Sequence, residues 1–398
     1  MKQKILIIFK TELYWNKFII NKFKKFYHVE CLYLSKFTKN YLNTISQINE
    51  FIDKNNIEIV FFDVDYQKFV NLFFIKKIKN IKKIMLTFDD YERHEINTIT
   101  AAGCDLVLSA CPISSLKYEE VGYKAFFMPL ESDGKFYINK IIKKEIDVLF
   151  FGKINEDRKK FIDFIKNNEI NIKIVGNNEN NRVSDEELVN LISKSKIVIN
   201  FSKSTWKTVK SIPEGEIFEF NYQFKGRIIQ SGLCGTLCVS EYAPHHSLLF
   251  SSNELLEFNS KEQCVNILKD LLQDDEKLRN LSNKFANKVK NFYEDEKFFN
   301  KIFKAINSIT KQKKHNLKKV PFWYLRIAAK QTVIRDARIL SLPNTFLQLI
   351  EVIKIIKKSK IYVQFLILGE SIINMLWYSI LRSFKPKGIG KNRYIDKL

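Results

Sequence analysis

Short runs of β-branched and aromatic residues alternate with stretches of helical periodicity, and the alternation occurs twice along the chain. In the first third, Lys4–Phe9, His28–Leu34, Glu58–Val64, Lys83–Phe88, Asp105–Ser109 and Ala125–Met128 have the length and composition of buried strands. Tyr41–Asn56 and Tyr66–Lys79 between them carry apolar residues at helical spacing. Strands separated by helices argue for a parallel sheet with helices on both faces. Right-handed crossovers then bring the loops after the strands to one edge, where ligands of such sheets bind. Pro129 to Lys144 breaks the pattern and is expected to link two domains. Beyond it, Asp147–Phe151, Asn171–Val175, Lys196–Phe201 and Gly235–Ser240 are expected strands. Arg158–Asn167, Ser184–Ser193, Phe224–Leu233 and Lys261–Leu272 are expected helices, Ser184 and Glu187 forming a capping box. A long charged helix is expected over 276–309. Two such domains would face each other across a cleft able to hold two substrates.

Hydrophobic residues make up 45% and aromatic residues 14% of the 398-residue chain, enough to bury two cores and to exclude disorder as its general state. Ile5 to Phe9 is the only apolar run near the start, too short for a signal-peptide core and suited to a first strand. Cys31, Cys104, Cys111, Cys234, Cys238 and Cys264 form no CxxC pair and have no histidine at zinc-finger spacing. They are expected to be buried thiols in a reducing compartment, with no metal.

Charge is unevenly placed. From Lys311 to Leu398 there are 19 Lys and Arg against 4 Asp and Glu, a net of +15 out of a total of +22. Within this basic segment Phe322–Leu340, Thr345–Lys358 and Ile361–Arg382 are expected helices. In the last, Ile361, Phe365, Leu368, Ile372, Leu376 and Ile380 form a stripe, while Gln364, Glu370 and Asn374 disfavour insertion across a bilayer. Lys357, Lys358, Lys360, Arg382, Lys385 and Lys387 flank it. Docking on an anionic membrane surface, a helical packing module and a spanning segment are the alternatives, in that order. No nucleic-acid-binding module is recognisable in the segment, so no nucleic-acid partner is expected.

The stretch from Phe224 to Pro244 carries the most chemistry. A helix beginning near Lys225 and Gly226 points free amides and its positive dipole end at an anion. Arg227 in its first turn can fork onto a phosphate. Gly232 and Gly235 close the helix and admit a tight turn into the next strand, and Glu241 follows that strand at the ligand-facing edge. Taken singly, each of these residues also fits a glycine-capped surface helix. His245 and His246, adjacent after Pro244, are expected in a surface turn rather than as metal ligands.

This run, with Val148–Lys153, Arg158, Lys196–Ser202, Phe88–Asp90, Asp105–Ser109, Tyr118–Tyr123 and Met128–Leu130 in order, resembles the CgeB-type (spore-maturation-protein-like) glycosyltransferases of the GT-B superfamily over about residues 1 to 309. The resemblance implies an α/β fold of the GT-B kind: two Rossmann-like parallel-sheet domains facing a cleft, an acceptor domain over 1–140 and a donor domain over 141–309. Beyond the resemblance, the charge and periodicity of 310–398 lead to the expectation of a basic helical extension there, associated with a membrane. The resemblance implies transfer of a sugar from a nucleotide-diphosphate sugar to a hydroxyl of a glycan, lipid-linked or protein acceptor. Apart from the resemblance, the cysteines and the basic segment lead to an expected location in the cytoplasm, peripheral on the inner face of the membrane. The donor co-substrate would lie against Gly152, Lys153, Arg158, Asn200, Lys203, Lys225, Gly226, Arg227, Gln230, Gly235, Glu241 and Tyr242, with no metal or other cofactor. Fixed cations would stabilise charge developing on the departing diphosphate. Asp89, Asp90 and His94 are candidates for the base that activates the acceptor, with capping of the following helix as the alternative for Asp90. Gln230 stands where the resemblance expects a glutamate for the donor ribose, and the loss of that charge favours a rival, a non-catalytic module binding nucleotide sugar or glycan. A scaffold acting through its basic segment is the other rival.

Overall fold

The computed structural model describes residues 2–12, 16–37, 40–64, 70–88, 90, 94–129, 143–176, 181, 183–203, 222–294, 296–309, 322–356 and 361–384. The chain forms two compact units, one of Met1–Met128 with Ile302–Leu398 and the other of Pro129–Lys301.

In the first unit β1 (Lys4–Phe9), α1 (Asn16–Lys24), β2 (His28–Tyr33), α2 (Tyr41–Asn55), β3 (Ile59–Asp63), α3 (Leu72–Lys77), β4 (Lys82–Thr87), α4 (His94–Ala101), β5 (Leu106–Ser109), α5 (Pro112–Glu120) and β6 (Ala125–Phe127) follow in order. The strands form one sheet, ordered β2-β1-β3-β4-β5-β6, with parallel pairing throughout. Ile5 to Phe9 and Ile59 to Phe62 are wholly buried, as strands covered on both faces must be. Asn40 caps α2 and Asn71 caps α3, each accepting an amide of the first turn.

The second unit contains β7 (Ile146–Phe151), α6 (Glu156–Asn167), β8 (Ile172–Val175), α7 (Asp185–Lys194), β9 (Ser195–Asn200), α8 (Gly226–Leu233), β10 (Leu237–Glu241), β11 (Leu256–Phe258), α9 (Lys261–Gln273) and α10 (Asp275–Glu294). Its sheet, β11-β10-β9-β7-β8, is again parallel. Ser184 accepts the Glu187 amide at 3.1 Å, the amide half of the expected capping box. Within the long helix expected over 276–309, α10 and α11 (Glu296–Asn307) are helical.

Three helices complete the first unit: α12 (Phe322–Ile339), α13 (Leu342–Ile356) and α14 (Ile361–Phe384). They share its core, since Leu325, Ala328, Val352, Ile355 and Ile367 pack in one cluster with Leu72, Phe74 and Ile99. Buried polar contacts fix the docking. Asn71 accepts from Tyr41 Oη at 2.7 Å and donates to Asp336 Oδ2 at 3.2 Å. The Phe73 amide donates to Gln348 Oε1 at 2.8 Å, and Lys76 pairs with Glu351 at 2.6 Å. Residues 310–398, expected as an extension, are thus in their described part a layer of the first unit. Among the described residues no helix is long and apolar enough to cross a membrane.

Candidate functional site

In the second sheet the chain runs from β7 outward to β8, then returns to the other side of β7 to form β9. The carboxyl ends of β7 and β9 therefore flank the point where strand order reverses, the place where open parallel sheets bind ligands. Gly152 and Asn200 stand at those two ends.

Arg227 bridges them. Its Nε donates to the Phe151 carbonyl at 2.7 Å and its Nη1 to Asn200 Oδ1 at 2.7 Å. Its guanidinium carbon lies 5.0 Å from the Phe150 ring centroid. Gly152 makes room for it: φ is +122°, and a Cβ there would stand 3.1 Å from Arg227 Nη2. Gly176 at the end of β8, φ +77°, packs on the Gly152 backbone, so two glycines line this edge. Asn200 is held in turn, its amide donating to Ser240 at 2.8 Å and Ser202 at 3.1 Å.

Every partner of the Arg227 guanidinium among the described residues is neutral; none is a carboxylate. Burial, and secondarily the charge of Arg158, push its pKa down to about 9, so it keeps its proton at neutral pH. A cation held this way gains from an incoming anion. Arg158 is nearby, buried, its own guanidinium donating to the Lys153 carbonyl at 2.8 Å and the Lys203 carbonyl at 3.3 Å. Those bonds tie the loops after β7 and β9 together. The amino end of α8, at Gly226 and Arg227, has no side-chain cap and no acidic residue in its first turn, so its dipole favours an anion.

Glu241 closes the other side. Its Oε2 accepts the Lys203 amide at 2.9 Å and its Oε1 pairs with Lys203 Nζ at 3.1 Å. Tyr242 next to it is exposed and packs edge-on against Tyr222. Gly235, φ +72°, turns the chain from α8 into β10, and Gln230 lies half-buried on α8. The structure thus brings Gly152, Lys153, Arg158, Asn200, Lys203, Lys225, Gly226, Arg227 and Glu241 to one edge of one sheet. Sequence reasoning missed the Phe151 carbonyl, Gly176, and the Ser202 and Ser240 hydroxyls. The repetition of a glycine after both β7 and β8 was the available signal for Gly176.

Among the first-domain candidates, Asp89 lies outside the described residues. Asp90 is fully buried. Its Oδ1 accepts from Tyr118 at 2.7 Å, Asn97 at 2.8 Å and Thr87 at 3.1 Å, and its Oδ2 contacts His94 Nδ1 at 3.0 Å. Burial alone would raise its pKa; the charge of His94 and the bonds from His94, Asn97 and Tyr118 outweigh it and hold the pKa down to about 2. Both carboxylate oxygens are engaged with side chains, so Asp90 organises β4, α4 and α5.

His245 and His246 are not in a surface turn. Both are buried, His246 against Glu257 at 2.5 Å and His245 between Phe224 and His246. Apolar Phe224, not a hydrophilic rim, occupies the space beside the pair, and burial draws them in. All six cysteines are free, five of them buried, and among the described residues no group of His, Cys, Asp and Glu is placed to hold a metal ion.

Residues 158–302 match the family model described as "Glycosyl transferase-like". Among solved structures, Alr3699/HepE of Anabaena, determined with UDP and glucose, aligns with TM-score 0.55 at 11% identity, over 77% of this chain and 100% of that one. Sucrose-phosphate synthase of Thermosynechococcus elongatus aligns with TM-score 0.52 at 9% identity, over 78% and 100%. A glycosyltransferase of Rickettsia africae aligns with TM-score 0.50 at 13% identity, over 78% and 100%. The chain has the GT-B fold. No curated protein sequence is significantly similar to it.

Proposed function

We propose that the protein is a glycosyltransferase that binds a nucleotide-diphosphate sugar at the carboxyl edge of the second sheet and passes the sugar to a hydroxyl acceptor. The observation that carries this reading is Arg227, a protonated guanidinium bonded to two neutral oxygens at the reversal point of strand order. A diphosphate placed there meets that charge, the amino end of α8 and the glycine-lined end of β7. Leaving-group charge grows as the glycosidic bond to the donor breaks, so fixed cations lower the barrier and no metal is needed for the role. The glycosyl transferase-like match over this region and the UDP and glucose bound by the Anabaena relative support the same donor class. The order of motifs shared with CgeB-type enzymes supports a glycan, lipid-linked or protein acceptor at a cell surface.

Titration calorimetry of the full chain with UDP, UMP and UDP-glucose tests the site. Diphosphate should bind more tightly than monophosphate, and Arg227→Gln should remove most of that advantage. Equal affinity of wild type and variant for UDP would overturn the assignment. Donor hydrolysis measured on the same protein separates enzyme from binding module, because binding without turnover in the presence of acceptors supports the latter.

A further inference from the structure

The outward face of α14 is inverted relative to an ordinary surface helix. Its inner side, Ile367, Ser371 and Met375, is buried against the rest of the three-helix layer. Its outer side presents Phe365 (71% exposed), Leu366, Ile373 (68%), Leu376, Trp377 (58%) and Ile380. These positions recur at helical spacing, and Gly369 between them has open space where a side chain would stand. Among the described residues, no exposed position in that stripe is polar. The only acidic residue of the helix, Glu370, is bonded by Arg326 Nε at 2.8 Å, which ties α12 to the middle of α14. One turn earlier on α12, Phe322 and Trp323 are exposed as well. An apolar stripe of this extent marks a contact surface.

We infer that this face seats on an anionic lipid surface, with α14 lying along it. Charge selects the occupant. The apolar stripe belongs to a segment of net charge +15, and the sequence sets Lys357, Lys358 and Lys360 before the helix, Arg382 in its last turn, and Lys385 and Lys387 after it. Basic residues at the ends of an apolar helix face complement anionic headgroups, while the apolar side chains enter the acyl boundary. A second copy would bring the same positive field against itself. Tryptophans at the stripe and on α12 suit the headgroup zone, where an amphipathic ring is at home. The helix is not apolar enough to cross, so contact is lateral. The inference rests on the transferase reading only for its purpose, which is to hold the enzyme where lipid-linked acceptors lie.

Vesicle sedimentation with the full chain tests it. Wild type should pellet with vesicles of phosphatidylcholine mixed with phosphatidylglycerol, weakly or not at all with phosphatidylcholine alone, and less as salt rises. The triple variant Phe365→Ser, Ile373→Ser, Trp377→Ser should lose at least about tenfold in partition. Leu116→Ser, at an exposed apolar residue on α5, should partition like wild type. Unchanged circular dichroism and UDP affinity of the triple variant would show that the fold and the donor site are intact. Wild type left in the supernatant, a triple variant that pellets like wild type, or a wild-type dimer that the triple variant converts to monomer would each overturn the inference. Absence of UDP binding by wild type would instead strike the transferase reading and leave the lipid result standing.

Discussion

Arg227 Nη1 and Asn200 Oδ1 meet at 2.7 Å across the point where the second sheet reverses its strand order. The bond matters because it fixes a charge without cancelling it. Lysine could supply the charge but not the geometry, since one ammonium on a flexible stem cannot reach the Phe151 carbonyl and Asn200 together in the planar fork that guanidinium offers. Arg227→Lys should therefore weaken UDP binding by at least about tenfold, roughly 1.4 kcal/mol, and Asn200→Ala, which frees the guanidinium, by less. Calorimetry on the two variants checks the order of effects; Arg227→Lys with wild-type affinity would show that charge alone suffices.

Gly152 offers an independent probe of the same contact. With φ at +122°, a side chain is strained there before any neighbour is considered, and a Cβ would press on the guanidinium at 3.1 Å. Gly152→Ala should cost about 1–3 kcal/mol in stability, and it should also reduce donor affinity by displacing Arg227. A chemical-denaturation series paired with UDP titration separates the two losses. Destabilisation with unchanged affinity would mean that the glycine serves the turn and not the site.

Much of this was legible in sequence, for identifiable reasons. Ten of the eleven strands among the described residues lie within two residues of where β-branched and aromatic runs put them, because a strand buried on both faces must be apolar along its whole length. The omitted strand, β11, is Leu256–Phe258 with Glu257 at its centre, and unlike the equally short β6 it has no unbroken apolar run to mark it. The cations of the proposed donor site stood out because Arg and Gly cluster at the start of α8. What lay hidden was long-range. Asn71 and Asp336, or Phe73 and Gln348, are separated by some two-thirds of the chain, and no local pattern announces that α12 and α13 would complete the first core. A basic segment with amphipathic helices looks like an appendage until the polar groups that anchor it are seen. His245 and His246 misled for a related reason, since turn chemistry after Pro244 says nothing of what packs over the turn.

The packing of α8 on α10 allows a sharper test of what holds the proposed donor site in place. A Cβ on residue 232 would come within 2.5 Å of Val289 Cγ2, so the close approach of the two helices depends on glycine. Gly232→Ala should destabilise by about 1–3 kcal/mol through overpacking, despite alanine's better helix propensity. Val289→Ala removes the obstructing methyls, so the double variant should be more stable than the sum of the two single losses predicts. A thermal-unfolding double-mutant cycle measures the coupling; additivity would show that the backbone adjusts freely.

His245 sets how the fold responds to acid. Both of its ring nitrogens are buried without a partner among the described residues. Burial first, then the charges of His246 and Lys225, lower its pKa from 6.5 to about 3. At pH 7 the ring is neutral in the folded and unfolded chain alike, and the shift contributes nothing. Below 6.5 the unfolded chain takes up a proton that the folded chain refuses, so stability falls with falling pH across the window from 6.5 toward 3. By pH 5 the loss from this group is about 2 kcal/mol. His245→Leu, apolar and of similar bulk, should abolish that share, so the stability gap between variant and wild type widens in the variant's favour as the pH drops from 7 to 5. Denaturant midpoints at the two pH values check this. A gap that stays constant would mean that His245 accepts a proton in the folded protein, and that the turn after Pro244 opens to water.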